Sequence, residues 1–304
     1  MTAPDLDRLL EKTSRTFALS IPPLPEPTRR EVTIAYLLFR IADTFEDASH
    51  WPREKRLLAL EAFQRLLERP DAPEAGRLAR EWVADGISTH DGYVWLMSEV
   101  PFVLGAYAAT RPGARALLGE HVARSARGMA GFVSRTGDDG TLALADLPDL
   151  RAYCYVVAGI VGEMLTELFL LERDELALAA PYLRARAALF GEALQLVNIL
   201  KDRDADLAEG RRYLPPGVPQ EDVFALARSD LGSAAEYIDA LQRARAPRGI
   251  LEFTALPVAL AFSALERVES AGAGAKVSRP EVFLITQRVK RALDRDQPPV
   301  EVRR

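Results

Sequence analysis

The chain has 304 residues, 48% hydrophobic and 27% charged, with a net charge of −5, which suits a globular protein with a sizeable core and carries no basic footprint for nucleic acid. Its one cysteine, Cys154, cannot close an internal disulfide, and the scattered His50, His90 and His121 do not have zinc-site spacing. Any bound metal is therefore expected on oxygen ligands.

In chain order, the opening stretch MTAPDLDRLLEKTSR is charged from Asp5 onward and has no apolar core of signal-peptide length. Nowhere do eighteen apolar residues run without a charge, so no membrane-spanning helix is expected. The expectation is a cytoplasmic protein, with peripheral contact at a membrane surface left open by the apolar substrate argued for below. Helical periodicity, broken by prolines and glycines, predicts helices near 5–15, 27–49, 53–69, 75–84, 91–109, 113–135, 148–172, 180–208, 220–228, 232–246, 248–270 and 279–294. Alternating strand patterns are scarce. The expected fold class is all-α, one helical-bundle domain over 1–304 with its core at about 5–294, and a frayed tail from Asp296.

The predicted helix 27–49 carries an odd stripe. On 3.6 residues per turn, Tyr36, Arg40, Asp43 and Asp47 share one face, while Ile34, Leu37, Leu38, Ile41, Ala42 and Phe45 cover most of the rest. A helix apolar on its other sides is buried, so the polar stripe is expected to face a cavity. The stretch ALQLVNILKDRDAD repeats the pattern, with Gln195, Asn198, Asp202 and Asp206 on one face among leucines, Val197 and Ile199. Aspartates four apart repel, and a buried carboxylate without a partner costs several kcal/mol or shifts its pKa until neutral. A lone Asp-x-x-x-Asp is usually a solvated face, but two on strongly apolar helices call for cations. Carboxylates and an amide oxygen suit Mg²⁺, which is commonly held by a few carboxylates and substrate phosphates. The reading is a helical bundle with two facing acidic walls that bind a diphosphate through Mg²⁺. A di-iron carboxylate bundle would use Glu-x-x-His ligands, and no Glu-x-x-His occurs.

Four motifs then carry a resemblance to the squalene/phytoene synthases, which join two prenyl diphosphates head to head. They are SRTF at 14–17, YLLFRIADTFED at 36–47, YCYVVAGIVG at 153–162 and LQLVNILKDRDADLAEGRRYLP at 194–215. The resemblance implies an isoprenoid-synthase bundle around a central apolar cavity. It implies that Asp43, Glu46, Asp47, Asn198, Asp202 and Asp206 hold Mg²⁺ and the diphosphates. Arg15, Tyr36, Arg40, Gln195, Asn198 and Arg211 are the implied substrate-binding residues. Tyr153, with Arg40 and the four aspartates, is the implied catalytic group, the tyrosine handling a proton during cyclopropane formation. The segment AKVSRPEV at 275–282 resembles a squalene synthase stretch that meets the NADPH phosphate, which makes Lys276 and Arg279, with Lys201, the implied cofactor-binding residues. No Gly-x-Gly-x-x-Gly follows a strand, so no Rossmann site is expected.

The implied activity is condensation of two farnesyl diphosphates through presqualene diphosphate to squalene. A phytoene, dehydrosqualene or hydroxysqualene-pathway product without reduction stays open, as do a terpene cyclase-like role and a non-catalytic isoprenoid-binding role. The last is prompted by Ala205, which stands where the family's second motif has a Glu. Arg203 and Asp204 point off the stripe and are expected as a solvated pair.

Overall fold

The computed structural model describes residues 5–137, 139–171 and 173–301. It is all-α, and its contacts divide the chain into two compact units. The first comprises Met1–Pro22 and Glu26–Thr141, the second Pro23–Pro25 and Leu142–Arg304.

The first unit contains α1 (Leu6–Thr13), α2 (Phe17–Ser20), α3 (Thr28–Asp47), α4 (Arg53–Glu68), α5 (Ala72–Ala84), α6 (Asp91–Ser98), α7 (Val100–Ala108) and α8 (Pro112–Val133). Short polar side chains begin several of these helices. Asp5 accepts from the Asp7 amide and Asp71 from the Glu74 amide, each satisfying a first-turn donor that has no partner inside the helix. The core centres on α3, where Phe45 packs edge-on to Trp82 at 4.6 Å and lies 6.2 Å from Phe63. Arg56 of α4, itself buried, donates to the Glu46 carbonyl in the last turn of α3, a place where orphan carbonyls favour a cation. Glu31, buried on α3, takes both oxygens to Arg111 at 2.6 and 3.1 Å.

The second unit contains β1 (Leu142–Ala143), α9 (Leu147–Cys154), a π turn (Tyr155–Gly159), α10 (Ile160–Leu170), a 3₁₀ turn (Asp174–Leu176), α11 (Ala180–Ala208), β2 (Arg211–Arg212), α12 (Gln220–Arg243), α13 (Arg248–Ala271) and α14 (Arg279–Asp294). Here α11 is the central rod, packed by α10, α12 and α13. Small residues allow backbone contact with it. A Cβ on Gly162 would stand 2.0 Å from the Ala187 carbonyl oxygen, and one on Gly191 would stand 1.9 Å from that of Ala158. The π turn lies at this contact, so the wide turn and the glycines together set how closely α11 approaches. Two stretches, Leu147–Leu170 and Arg248–Ala271, are long and apolar enough to cross a membrane by composition, yet 56% and 61% of their windows are buried, as core helices are.

Several expected elements differ. The helix expected at 91–109 breaks at Glu99, because Pro101 brings no amide and so begins α7 instead of continuing α6. The two helices expected at 220–228 and 232–246 are one, α12, since Gly232 sits inside it in open space. The helix expected to reach 172 is described to Leu170, and residue 172 lies outside the described residues. The stretch expected to fray from Asp296 is tied down as far as described: Gln242 donates to Asp296 at 3.0 Å and Val300 is buried. Residues 302–304 lie outside the described residues.

Gly191→Ala is expected to destabilise the protein by about 3 kcal/mol, since a methyl group would have to push two backbones apart. Gly232→Ala should instead stabilise it by about 1 kcal/mol through helix propensity alone. Thermal denaturation of the two variants beside the unmodified chain checks both signs.

Candidate functional site

The first acidic stripe is built where α1, α3 and α6 meet. The last carbonyls of α1 have no intrahelical donors, and the Tyr36 hydroxyl of α3 donates to one of them, that of Thr13, at 2.8 Å. Gly92 at the start of α6 lies against the neighbouring carbonyl of Lys12, where a Cβ would stand 2.2 Å from the oxygen. That close approach carries Tyr93 to Arg40, whose guanidinium lies 5.3 Å from the Tyr93 ring and 5.9 Å from the Tyr36 ring. Phe17 of α2 packs on Tyr36 at 5.4 Å.

Arg40 meets Asp43 at 3.4 Å, and both side chains are about a quarter exposed. Burial opposes the charge on Arg40, but Asp43, with Tyr36, Tyr93 and Asp47 behind it, holds the guanidinium more firmly protonated than usual. Burial pushes the Asp43 carboxyl up to about 6, against the pull of Arg40 and with added repulsion from Asp47. Burial likewise raises the Tyr93 hydroxyl. The buried Arg40 Nε has no hydrogen-bond partner. Glu46 is buried more deeply than Asp43 and Asp47, which are partly exposed. Arg15 is exposed in the bend between α1 and α2 and makes no ion pair among the described residues.

The second stripe occupies the last four turns of α11, and each of its aspartates already has a cation beside it. Lys201 Nζ donates to Asn198 Oδ1 at 3.0 Å and lies 3.2 Å from Asp202 Oδ2. Arg211 donates to Asp206 at 3.2 Å and to Glu209 at 2.6 Å. Gln195 is half-buried and Asn198 exposed. Arg203 pairs with Asp204 at 2.9 Å and donates to Gln220, so this pair stands off the stripe as expected. Ala205 is exposed. The loop between α13 and α14 is tied to this wall, for the Gly274 amide donates to the Lys201 carbonyl at 2.7 Å. Lys276 lies two residues further on and Arg279 begins α14; both are exposed.

Tyr153 is 2% exposed at the end of α9. Its hydroxyl donates to that of Tyr213 at 2.9 Å, and the two rings stack at 4.7 Å. Tyr213 owes its place to β2, which pairs parallel with β1, Leu142 opposite Arg211 and Ala143 opposite Arg212. Sequence reasoning did not single out Tyr213, although it lies within the quoted RRYLP exit of the second aspartate motif.

Behind the π turn sits a second group of charges. Glu192 of α11 is buried and approaches Arg151 of α9 at 3.5 Å, while the buried Asp230 of α12 leaves Oδ2 without a hydrogen-bond partner. Burial raises both carboxyls; Arg151 opposes this in each case, and Asp230 adds repulsion on Glu192.

Among the described residues no three His, Cys, Asp or Glu side chains form a ready metal cluster. The donor set nonetheless fits Mg²⁺ shared with a ligand. It consists of oxygens in pairs, one of them, Asp43, with its negative charge disfavoured for want of a stronger cation. The unused Arg40 Nε fits an anionic oxygen of that ligand.

The profile of the squalene/phytoene synthase family matches residues 10–223, and the chain belongs to that family. A curated squalene synthase from Schizosaccharomyces pombe is 30% identical over 211 residues, covering 68% of this chain and 43% of the relative. Squalene synthase LSS from Botryococcus braunii is 31% identical over 206 residues, covering 66% of this chain and 39% of the relative. The matched stretch thus spans less than half the length of these relatives. Among solved structures, a ligand complex of TcSQS superimposes with a TM-score of 0.78 at 23% identity, covering 96% of this chain and 87% of the other. Squalene synthase HpnC from Alicyclobacillus acidocaldarius gives 0.53 at 19% identity, covering 88% and 92%. These structures share the isoprenoid-synthase fold with this chain.

The charges behind the π turn predict a pH dependence. The unfolded chain releases the Asp230 and Glu192 protons near the ordinary carboxylate values of about 4, whereas the folded protein keeps them to higher pH. The native state then binds more protons than the unfolded one, so these groups make stability fall as pH rises above about 4 and through their raised values. In Asp230→Asn the decline should be shallower, which melting temperatures measured across pH will check.

Proposed function

We propose that the protein joins two prenyl diphosphates head to head in a Mg²⁺-dependent reaction, with farnesyl diphosphate as substrate and squalene as product. The observation that carries this reading is the repeated pair of aspartates on apolar helices, Asp43 with Asp47 and Asp202 with Asp206, each pair with basic companions on its own helix or beside it. Asp43, Glu46 and Asp47, with Asn198, Asp202 and Asp206, are the proposed metal-holding groups. Bound Mg²⁺ would supply the positive charge that stabilises a departing diphosphate.

The remaining steps fall to side chains of this protein. Arg40, with a free buried N–H and a firmly held charge, takes a diphosphate oxygen, and Arg15, exposed and without an ion pair among the described residues, takes another. Lys201 and Arg211 leave their aspartates for phosphate oxygens when the ligand arrives, so loading exchanges one set of ion pairs for another. Tyr36 and Gln195 line the substrate. Tyr153, its hydroxyl held by donation to Tyr213, is the proposed proton-handling group, buried away from water that would quench a carbocation. Reduction of the cyclopropyl intermediate by NADPH is proposed to use Lys201, Lys276 and Arg279. The tie between the α13–α14 loop and α11 supports this, because the loop bearing Lys276 donates to the backbone carbonyl of Lys201 itself.

Incubating the protein with labelled farnesyl diphosphate and Mg²⁺, with and without NADPH, tests the reading. Squalene is expected with NADPH. A product unchanged by NADPH would move the assignment to a dehydro product, and one prenyl chain per product would move it to a cyclase. Asp43→Asn and Asp202→Asn should each lower turnover by a factor on the order of a hundred or more, the scale for removing one electrostatic contact from a transition state. Tyr153→Phe should lower turnover while leaving diphosphate binding, read by calorimetry, unchanged.

A further inference from the structure

Helix α14 is packed unlike the others. Of its sixteen residues only Val289 is buried. Phe283 and Leu284 are 62% and 60% exposed on its outer side, where large apolar side chains on a surface mark contact with something else. The charge around them is lopsided in a protein whose net charge is −5. From Lys276 to Arg295 there are six cations and two carboxylates, and both carboxylates are occupied inward, Glu281 by Arg267 and Asp294 by Arg248. Arg279, Arg288, Arg291 and Arg295 are exposed and form no ion pair among the described residues. At 100° per residue they flank Phe283 and Leu284 on the outward half of the helix, opposite Val289.

We propose that this face of α14 docks on an anionic lipid bilayer, with Phe283 and Leu284 entering the headgroup boundary and the arginines meeting lipid phosphates. Exposed aromatic and leucine side chains bordered by cations are the signature of a helix lying in the plane of a membrane surface. A second copy of the chain fits less well. A two-fold pairing through this face would set the same unpaired arginines against one another, a repulsive juxtaposition. Leu284 also walls a groove with Phe262, Ile285 and Val300, whose other lining includes Glu266, Glu281, Arg288 and Glu301, so the surface behind the helix is mixed and the apolar contact proposed here is confined to Phe283 and Leu284. The inference does not depend on the catalytic reading.

Co-sedimentation of the full chain with unilamellar vesicles tests it, comparing pure phosphatidylcholine with phosphatidylcholine mixed with phosphatidylglycerol, at low and high salt. The protein should pellet with the mixed vesicles, several-fold less with the neutral ones, and less as salt rises. Arg291→Glu with Arg295→Glu should weaken binding to the mixed vesicles by about fivefold or more per cation lost. Phe283→Ser with Leu284→Ser should remove the binding that survives high salt. All four side chains are exposed, so unchanged circular dichroism melts are expected. Phe283→Trp gives an independent reading, a blue shift of its emission on mixed vesicles only. No pelleting with mixed vesicles, or pelleting unaltered in both double variants, overturns the proposal. A mass that halves in the Phe283→Ser, Leu284→Ser variant without lipid would overturn it too, by assigning the face to a second copy.

Discussion

Two negative charges four residues apart on an apolar helix are an electrostatic liability, and much of this protein is arranged around holding two such pairs. Their side chains are only partly open to water, Asp206 less than Asp43 and Asp202 more than either, and their helices are otherwise lined with leucines and isoleucines, so positive charge nearby favours each pair. The chain supplies it in provisional form: Arg40 against Asp43, Lys201 against Asp202, Arg211 against Asp206. The distances of these pairs, 3.2 to 3.4 Å, are longer than the 2.6 Å at which Arg111 meets Glu31. A ligand bringing both anionic oxygens and a divalent cation can replace each contact without leaving any charge alone.

Holding those pairs in place falls to backbone contacts more than to side chains. In the first unit Gly92 lets α6 rest on the end of α1, and the Tyr36 hydroxyl uses the carbonyl next door, so one unsatisfied helix end positions both aromatic rings around Arg40. In the second unit Gly162 and Gly191 bring the π turn and α10 onto α11 at main-chain distance. Such contacts have no rotamers to change, so they fix the register of these elements more firmly than side-chain packing would. The buried Glu192 and Asp230 lie just behind this contact, where burial disfavours their charged forms and Arg151 opposes that.

What could be read from the sequence follows what is local. The bounds of α11 and α14 were legible to the residue, because Pro181 sits in the first turn of one and Ser278 with Glu281 forms a capping box on the other. Both aspartate stripes were legible because helical spacing alone aligns them. Breaks that depend on a single residue's tolerance were read wrongly in both directions: Pro101 ends a helix that looked continuous, and Gly232 rides inside one that looked divided. The cations seated on the second wall were named for other tasks, since nothing in the spacing says that Lys201 folds back on its own Asn198 and Asp202. Tyr213 was out of reach for a different reason. Its partner is sixty residues away, and only the tertiary fold brings the two rings together.

The short parallel ladder between Leu142–Ala143 and Arg211–Arg212 has a consequence for how this region assembles. Parallel strands require a crossover, and here the crossover is everything from α9 to the end of α11. Closing so long a loop costs chain entropy that two residues of ladder cannot repay until the intervening helices have shortened the distance. The tyrosine stack, whose second ring follows this ladder directly, therefore depends on the helices between its two members being in place, a clasp that closes on the second unit.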